Sequence, residues 1–407
     1  MPLVLLRLLW RSRKSPNYRQ RISERFGFFP KKLPASIWVH AVSMGETIAA
    51  IPLIKAIKNQ YPDLPIVLTN MTITGSARAQ AAFGDTVLHS YVPYDLPGTV
   101  SRFISRINPK MIIVMETELW PNLFAIAHKK NIPIVLANAR LSEKSAKGYQ
   151  LIAPLTRQML SAINVLASQG VADAERFIKL GMKKENVIVT GNIKFDLELP
   201  KNLLEKSKAL REQLGNNRLI WIAASTHPGE DEIILNAHHE ILKKIPQALL
   251  ILVPRHPERF ESVASLCKEK NFSISRRSLN EPCNENIKIF LGDSMGEMML
   301  MYSVCDVAFV GGSFAQVGGH NMLEPAALEK PVLTGPILFN FAEISQMMID
   351  AKGMQVVKDA DELAEKIINF FSNESERKQI GTNALSVVEK NRGALQKQMH
   401  AIKNVLT

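Results

Sequence analysis

Ile37-Trp-Val-His-Ala-Val-Ser-Met-Gly-Glu46 decides how this chain is read. Its first five residues form an apolar run too short for a helix and hydrophobic on both faces of a pleat. Small residues follow, and a carboxylate arrives where the next helical pattern begins. Strand, tight turn and helix in that order form the repeating unit of a parallel sheet covered on both faces. A first-turn Glu also complements the helix dipole, so capping alone accounts for Glu46 as well as a chemical role does.

The same unit recurs on either side of a polar stretch. Before it stand PIVLT (65–69), MIIVM (111–115), PIVLA (133–137), INVLAS (163–168) and NVIVT (186–190), with helix-length segments between most of them. After residues 196–217 the pattern restarts with RLIWIAAS (218–225), ALLILVP (248–254), IKIFLG (287–292), DVAFVGG (306–312) and KPVLTG (330–335). The fold class is therefore read as α/β, with two doubly wound, parallel-sheet, Rossmann-like domains. The expected divisions are a basic segment at 1–32, a first domain at 33–200, a linker at 201–217 and a second domain at 218–358. A helical tail at 359–407 is expected to pack back on the domains.

With 407 residues, 46% of them hydrophobic, the chain is long enough for two cores. Cys267, Cys283 and Cys305 are odd in number and lack CxxC spacing, which argues against a disulfide framework or zinc site and for a reducing compartment. The net charge of +12 is unevenly spread. Residues 1–32 hold nine Lys and Arg against Glu24 alone, leaving only +4 for the remainder. Pro2-Leu-Val-Leu-Leu-Arg-Leu-Leu-Trp10 is much shorter than the ~20 residues that span a bilayer. Together these read as a short interfacial helix, or the end of a clipped anchor, beside anionic lipid headgroups. A basic arm that solvates the terminus or touches nucleic acid is the alternative, disfavoured by the near-balanced remainder.

In doubly wound sheets, ligands bind beyond the carboxyl ends of the strands, and two such edges are expected to face each other across a cleft. At the first edge lie Ser43, Gly45 and Glu46, then Glu116 and Glu118 in METELWPN, then Asn192 and Lys194 in GNIKFD. At the second lie Ser225, Thr226 and His227 in AASTHPGE, Arg255 in LVPRHPERF, and Met295 and Gly296 in GDSMGEM. The longest loop there, GGSFAQVGGHNMLEP, contributes Gly312, Ser313, Gly318, Gly319, His320, Asn321 and Glu324. Its glycines permit close backbone approach, a following helix start offers N–H groups to an anion, and Arg255 carries a planar fork suited to phosphate. Each feature also has a plain reading as an N-cap, a surface ion pair or a structural turn. Neither a dinucleotide fingerprint nor a P-loop is present. No DxD, HExxH or clustered Asp/His set suggests a metal.

HAVSMGE, METELWPN, GNIKFD, THPGE, PRHPERF and GGSFAQVGGHNMLEP, in this order, resemble the successive signatures of the 3-deoxy-D-manno-octulosonic acid (Kdo) transferases, glycosyltransferases of the GT-B class. The opening RLLWRSRKSPNYRQRISERFGF resembles that family's juxtamembrane segment, although the family begins with a longer hydrophobic anchor. The resemblance implies inverting transfer of Kdo from CMP-Kdo to the lipid A precursor, without a cofactor or metal, at the cytoplasmic face of the bacterial inner membrane. It makes Glu46 the general base, with Glu116 orienting the acceptor or a basic partner. The second-edge residues named above would bind the donor, and Ser43, Gly45, Asn192 and Lys194 the acceptor or the Kdo carboxylate. Implied partners are CMP-Kdo, the lipid A precursor and anionic inner-membrane lipids, with no nucleic acid. A GT-B enzyme using a UDP-sugar, a sugar-nucleotide epimerase, and a non-enzymatic basic binding module are the competing readings.

Overall fold

The computed structural model describes residues 21–406, which fall into two compact units. One comprises the residues up to Asp196 together with those from Asn391 onward, and the other is Leu197–Lys390.

The first unit is a seven-stranded parallel sheet: β1 (Ser36–His40), β2 (Ile66–Asn70), β3 (Leu88–Tyr91), β4 (Pro109–Met115), β5 (Ile134–Ala139), β6 (Val165–Ser168) and β7 (Val187–Val189). Their order is β3-β2-β1-β4-β5-β6-β7, so the direction of winding reverses between β1 and β4. The pleat explains why the run at 37–41 had to be apolar throughout. Ile37 and Val39 pack into a core with Ala50, Leu53 and Ile57 of the helix Met44–Gln60, while Trp38 enters a second core with Phe103 on the opposite face. Trp38 also donates its indole N–H to Thr69 Oγ1 at 2.9 Å.

The second unit repeats the plan: β8 (Ile220–Thr226), β9 (Leu249–Pro254), β10 (Ile274–Arg276), β11 (Ile289–Leu291), β12 (Val307–Val310), β13 (Val332–Thr334) and β14 (Met354–Val356). All are parallel, in the order β10-β11-β9-β8-β12-β13-β14, with the reversal between β8 and β12. β3, β10 and β14 gave no signal in the sequence. LHSY, ISR and MQV are short, polar-interrupted edge or near-edge strands, partly exposed and therefore without a continuous apolar run.

The boundaries also differ from those expected. Residues 201–217, read as a linker, hold the helix Leu203–Leu214, whose Leu203, Leu210 and Leu214 are buried in the second unit's core. The tail divides. Helices Ala360–Ser372 and Glu374–Lys390 belong to the second unit, whereas Ala394–Leu406 returns to the first. Asp196 receives the N–H groups of Gly393 and Leu395, both at 2.6 Å, and Gln398 bridges Asn138 and Thr190, which fixes that return.

Part of the basic segment is structural. Arg25 is 1% exposed, donates to the Met71 carbonyl and lies 4.2 Å from the centre of the Tyr91 ring, and Phe29 is buried in the core. The apolar start Pro2–Trp10 and most of the basic block lie outside the described residues. Among those described, no helix is long and apolar enough to cross a membrane. All three cysteines are free and buried.

Candidate active site

At the switch point of the first sheet, β1 gives way to a capped helix. Ser43 Oγ accepts the Glu46 N–H at 3.2 Å and donates to Glu46 Oε1 at 2.9 Å, while Val42 N–H reaches Glu46 Oε2 at 2.7 Å. The geometry is a variant of the capping box, so the plain reading of Glu46 holds locally. Capping does not exhaust it. The carboxyl is buried, and burial raises its pKa from 4.5 to about 7, with the nearby charges of Glu118 and Glu116 adding to the rise against the two hydrogen bonds. A carboxyl that takes and releases a proton near neutrality is what general-base chemistry requires.

The neighbouring strand ends complete this edge. Glu116 follows β4 with a positive φ of 55°, a conformation that non-glycine residues adopt at a cost and that turns its side chain between two cations. Lys194 Nζ lies 3.8 Å from one of its oxygens and Arg140 Nε 3.9 Å from the other. Glu118 accepts the Trp120 indole N–H at 2.7 Å, and burial raises its pKa as well. Trp120 packs edge-on to His40 with ring centres 4.8 Å apart, and full burial holds that imidazole neutral with its pKa near 3. Asn192 caps the turn that carries Lys194 and hydrogen-bonds Gln169. Gly45 adds no side chain, and a Cβ there would meet only Ser43 Oγ. The structure thus gathers Glu46, Glu116, Glu118 and Lys194 at one edge. Arg140 was missed, although it directly follows the strand PIVLANA and the strand-end rule would have found it.

The second edge is organised differently from the expectation. The Gly311–Ala315 backbone does form a concave set of N–H groups, but a carboxylate of the protein already fills it. Glu230 accepts N–H donation from Gly312 (2.7 Å), Ser313 (3.0 Å), Phe314 (2.9 Å), Ala315 (3.4 Å) and His227 (2.9 Å). The Thr226 hydroxyl is spent on Asp231 and the Ser313 hydroxyl on the Val310 carbonyl. Ser225, at φ 58°, is buried at the strand end. The helix start after Asn321 is a four-residue turn, Leu323–Ala326, in which Asn321 binds Glu324 at 3.2 Å.

Gly318 and Gly319 serve a close approach of chain to chain. Both have positive φ, and a Cβ on Gly318 would lie 2.5 Å from the Phe339 ring. What remains open to an anion is an imidazole cluster beside Arg255. His227 and His320 lie nearly parallel, ring centres 5.0 Å apart, and meet edge to edge with their Nε2 atoms 2.8 Å apart, and the ring of His256 stands edge-on to His227. A contact that short between two imidazole nitrogens needs one protonated nitrogen facing one bare nitrogen. Burial, reinforced by the charge of Arg255, presses the His320 pKa to about 3 and also lowers that of His227. Met295 and Gly296 lie on a separate loop, which Arg276 and Arg277 tie down through Asp293 and Glu297. Among the described residues, no group of three His, Cys, Asp or Glu is arranged to hold a metal ion.

Two doubly wound parallel sheets with polar groups gathered at their switch points give the GT-B architecture, which sugar-nucleotide transferases and epimerases share. In fold alone the chain is like the Staphylococcus aureus MnaA–UDP structure (TM-score 0.57, 15% identity, covering 91% of this chain and 97% of that one). It is similarly like Anabaena HepE in complex with UDP (TM-score 0.56, 13% identity, covering 91% and 99%). The chain belongs to the Kdo transferase family. Residues 20–197 match the model described as 3-deoxy-D-manno-octulosonic-acid transferase (kdotransferase), and residues 217–387 match that of glycosyl transferases group 1. It is 48% identical to the 3-deoxy-D-manno-octulosonic acid transferase of Haemophilus influenzae over 100% of this chain and 96% of that one. To the Bordetella pertussis transferase it is 33% identical, with the same coverage.

Proposed function

We propose that the protein transfers Kdo from CMP-Kdo to the lipid A precursor in lipopolysaccharide synthesis, with inversion and with Glu46 as the base. The observation that carries this reading is the Glu46 carboxyl, capped at the switch point of the first sheet and with its pKa lifted to about 7. In the proposed step an acceptor hydroxyl oxygen attacks the anomeric carbon of Kdo. The bond from that carbon to the CMP phosphate oxygen breaks, and the hydroxyl proton passes to Glu46. A sugar hydroxyl is a weak nucleophile until its proton leaves, so a base of matched pKa is worth about 10²- to 10⁴-fold in rate. Lys194 and Arg140, with Glu116 between them, supply positive charge for the Kdo carboxylate or an acceptor phosphate. Arg255 and the imidazoles of His227 and His320 receive the leaving phosphate. No metal takes part in this scheme, and full activity in EDTA is the expected result.

In this reading the reaction runs at the cytoplasmic face of the inner membrane, with anionic lipids attracted by the N-terminal basic segment. Deletion of residues 1–20, not 1–32, is the variant that isolates membrane attachment, because Arg25 and Phe29 are part of the first unit's fold. It is expected to lose sedimentation with anionic vesicles while keeping turnover on detergent-dispersed acceptor. Incubation of the purified protein with CMP-Kdo and lipid A precursor, with products resolved by mass, tests the whole reading. A product heavier by Kdo supports it, and turnover only with a UDP-sugar would overturn it.

A further inference from the structure

Glu230 has no part in the chemistry proposed above, yet it is the most heavily hydrogen-bonded carboxylate among the described residues. It is fully buried, and its two oxygens collect five backbone N–H groups from two different loops. Consecutive N–H groups converging on one point are the usual receptacle for a phosphate. Here the receptacle carries its own anion, so a donor phosphate is excluded from it by volume and by like charge.

The same carboxylate fixes the imidazoles. It binds the backbone of His227 directly, and it holds Gly312, over which the His320 ring lies. A Cβ at Gly312 would stand 2.8 Å from that ring. Gly319 N–H in turn donates to the Gly312 carbonyl at 2.7 Å, which ties the residue before His320 to the clamped loop. The two rings therefore meet at 2.8 Å because Glu230 holds both of their loops.

We propose that Glu230 is a built-in substitute for a bound anion, a positioning residue that closes the Gly311–Ala315 receptacle to phosphate and sets His227 against His320 as the nucleotide phosphate subsite. This rests on the reading of the second unit as the donor-binding unit. The consequence is a division of labour at one sheet edge. Backbone N–H groups organise the loops, and imidazole and guanidinium side chains meet the ligand.

The test uses the full chain, with CMP as the probe and sodium formate as a replacement carboxylate. Glu230→Ala removes the carboxylate and one methylene, leaving a space large enough to admit formate. CMP affinity by calorimetry is expected to fall on the order of tenfold or more, the scale of lost charge-assisted hydrogen bonds. Formate should restore it while leaving the wild type unchanged. The ¹⁵N resonances of the His227 and His320 side chains, recorded without CMP, should shift in the variant and return with formate.

Glu230→Asp, one methylene shorter, is expected to show both changes at smaller amplitude and serves if the alanine variant does not fold. Folded variants with wild-type CMP affinity and unmoved imidazole resonances would overturn the proposal. So would a folded Glu230→Ala that formate does not restore. A wild type that fails to bind CMP would instead count against the donor reading, and the imidazole resonances would still decide the role of Glu230.

Discussion

Glu46 and Glu230 occupy the same place in two copies of one plan. Each follows the strand at its sheet's switch point, each is preceded by glycine, and each sits in the first turn of a long helix. Their surroundings differ: Glu46 is the third residue of a helix capped by Ser43, and Glu230 the first residue of a helix that follows the left-handed Gly229. Glu46 accepts one backbone N–H and one hydroxyl and faces two further carboxylates, whereas Glu230 accepts five backbone N–H groups. Burial is the largest cause of the raised pKa of Glu46, and its two hydrogen bonds offset that only in part. The first carboxyl is left able to exchange a proton near neutral pH, and the second is committed to holding loops together. A Gly-Glu pair at a helix start is therefore left with a raised pKa or locked to neighbouring backbone, according to how many N–H donors the adjacent strand's loop sends towards it.

Substitutions at the two positions should accordingly fail in different ways. Glu46→Gln keeps size and part of the cap but removes the proton acceptor, so single-turnover rate should fall about 10²- to 10⁴-fold while CMP affinity stays at the wild-type value. Glu230→Ala leaves buried N–H groups without an acceptor. Its cost should appear first in stability, about 3 kcal/mol or more by chemical denaturation.

Stability against pH separates the two further. The folded-state pKa of Glu46 is raised, so its contribution is full below about 4.5 and is lost as pH rises to about 7 and beyond. Wild-type stability should decline across that window, by on the order of 3 kcal/mol from this group. Glu46→Gln should lack that component and be the more stable protein above pH 7. A gain in stability joined to a loss of turnover is the signature of a strained catalytic carboxyl and is the opposite of what a helix cap alone would give. Among these effects the smallest is expected from Glu118→Gln. Removing that negative charge should move the acid limb of the pH–rate profile to lower pH, by less than burial contributes, since burial is the larger cause.

Much of this was legible in the sequence. Apolar runs announced the inner strands because a strand buried on both faces must be apolar on both, and the turns that follow them carried Glu46, Glu116, Lys194, His227, Arg255 and His320. Edge strands such as Met354–Val356 were silent because partial exposure breaks the run. The return of Ala394–Leu406 to the first unit rests on Asp196 and Gln398, polar contacts between residues about two hundred positions apart, which no local pattern encodes. The glycine-rich loop was misleading for a related reason. Nothing in GGSFAQVGG says that its N–H groups are met by Glu230, some eighty residues earlier.

The proton on Glu46 can be followed directly. In protein labelled with ¹³C at the glutamate carboxyls, with the Glu46 resonance assigned by its absence in Glu46→Gln, titration should give a midpoint near 7. A midpoint near 4.5, the ordinary glutamate value, would contradict the assignment of Glu46 as a base matched to neutral pH and leave it a helix cap.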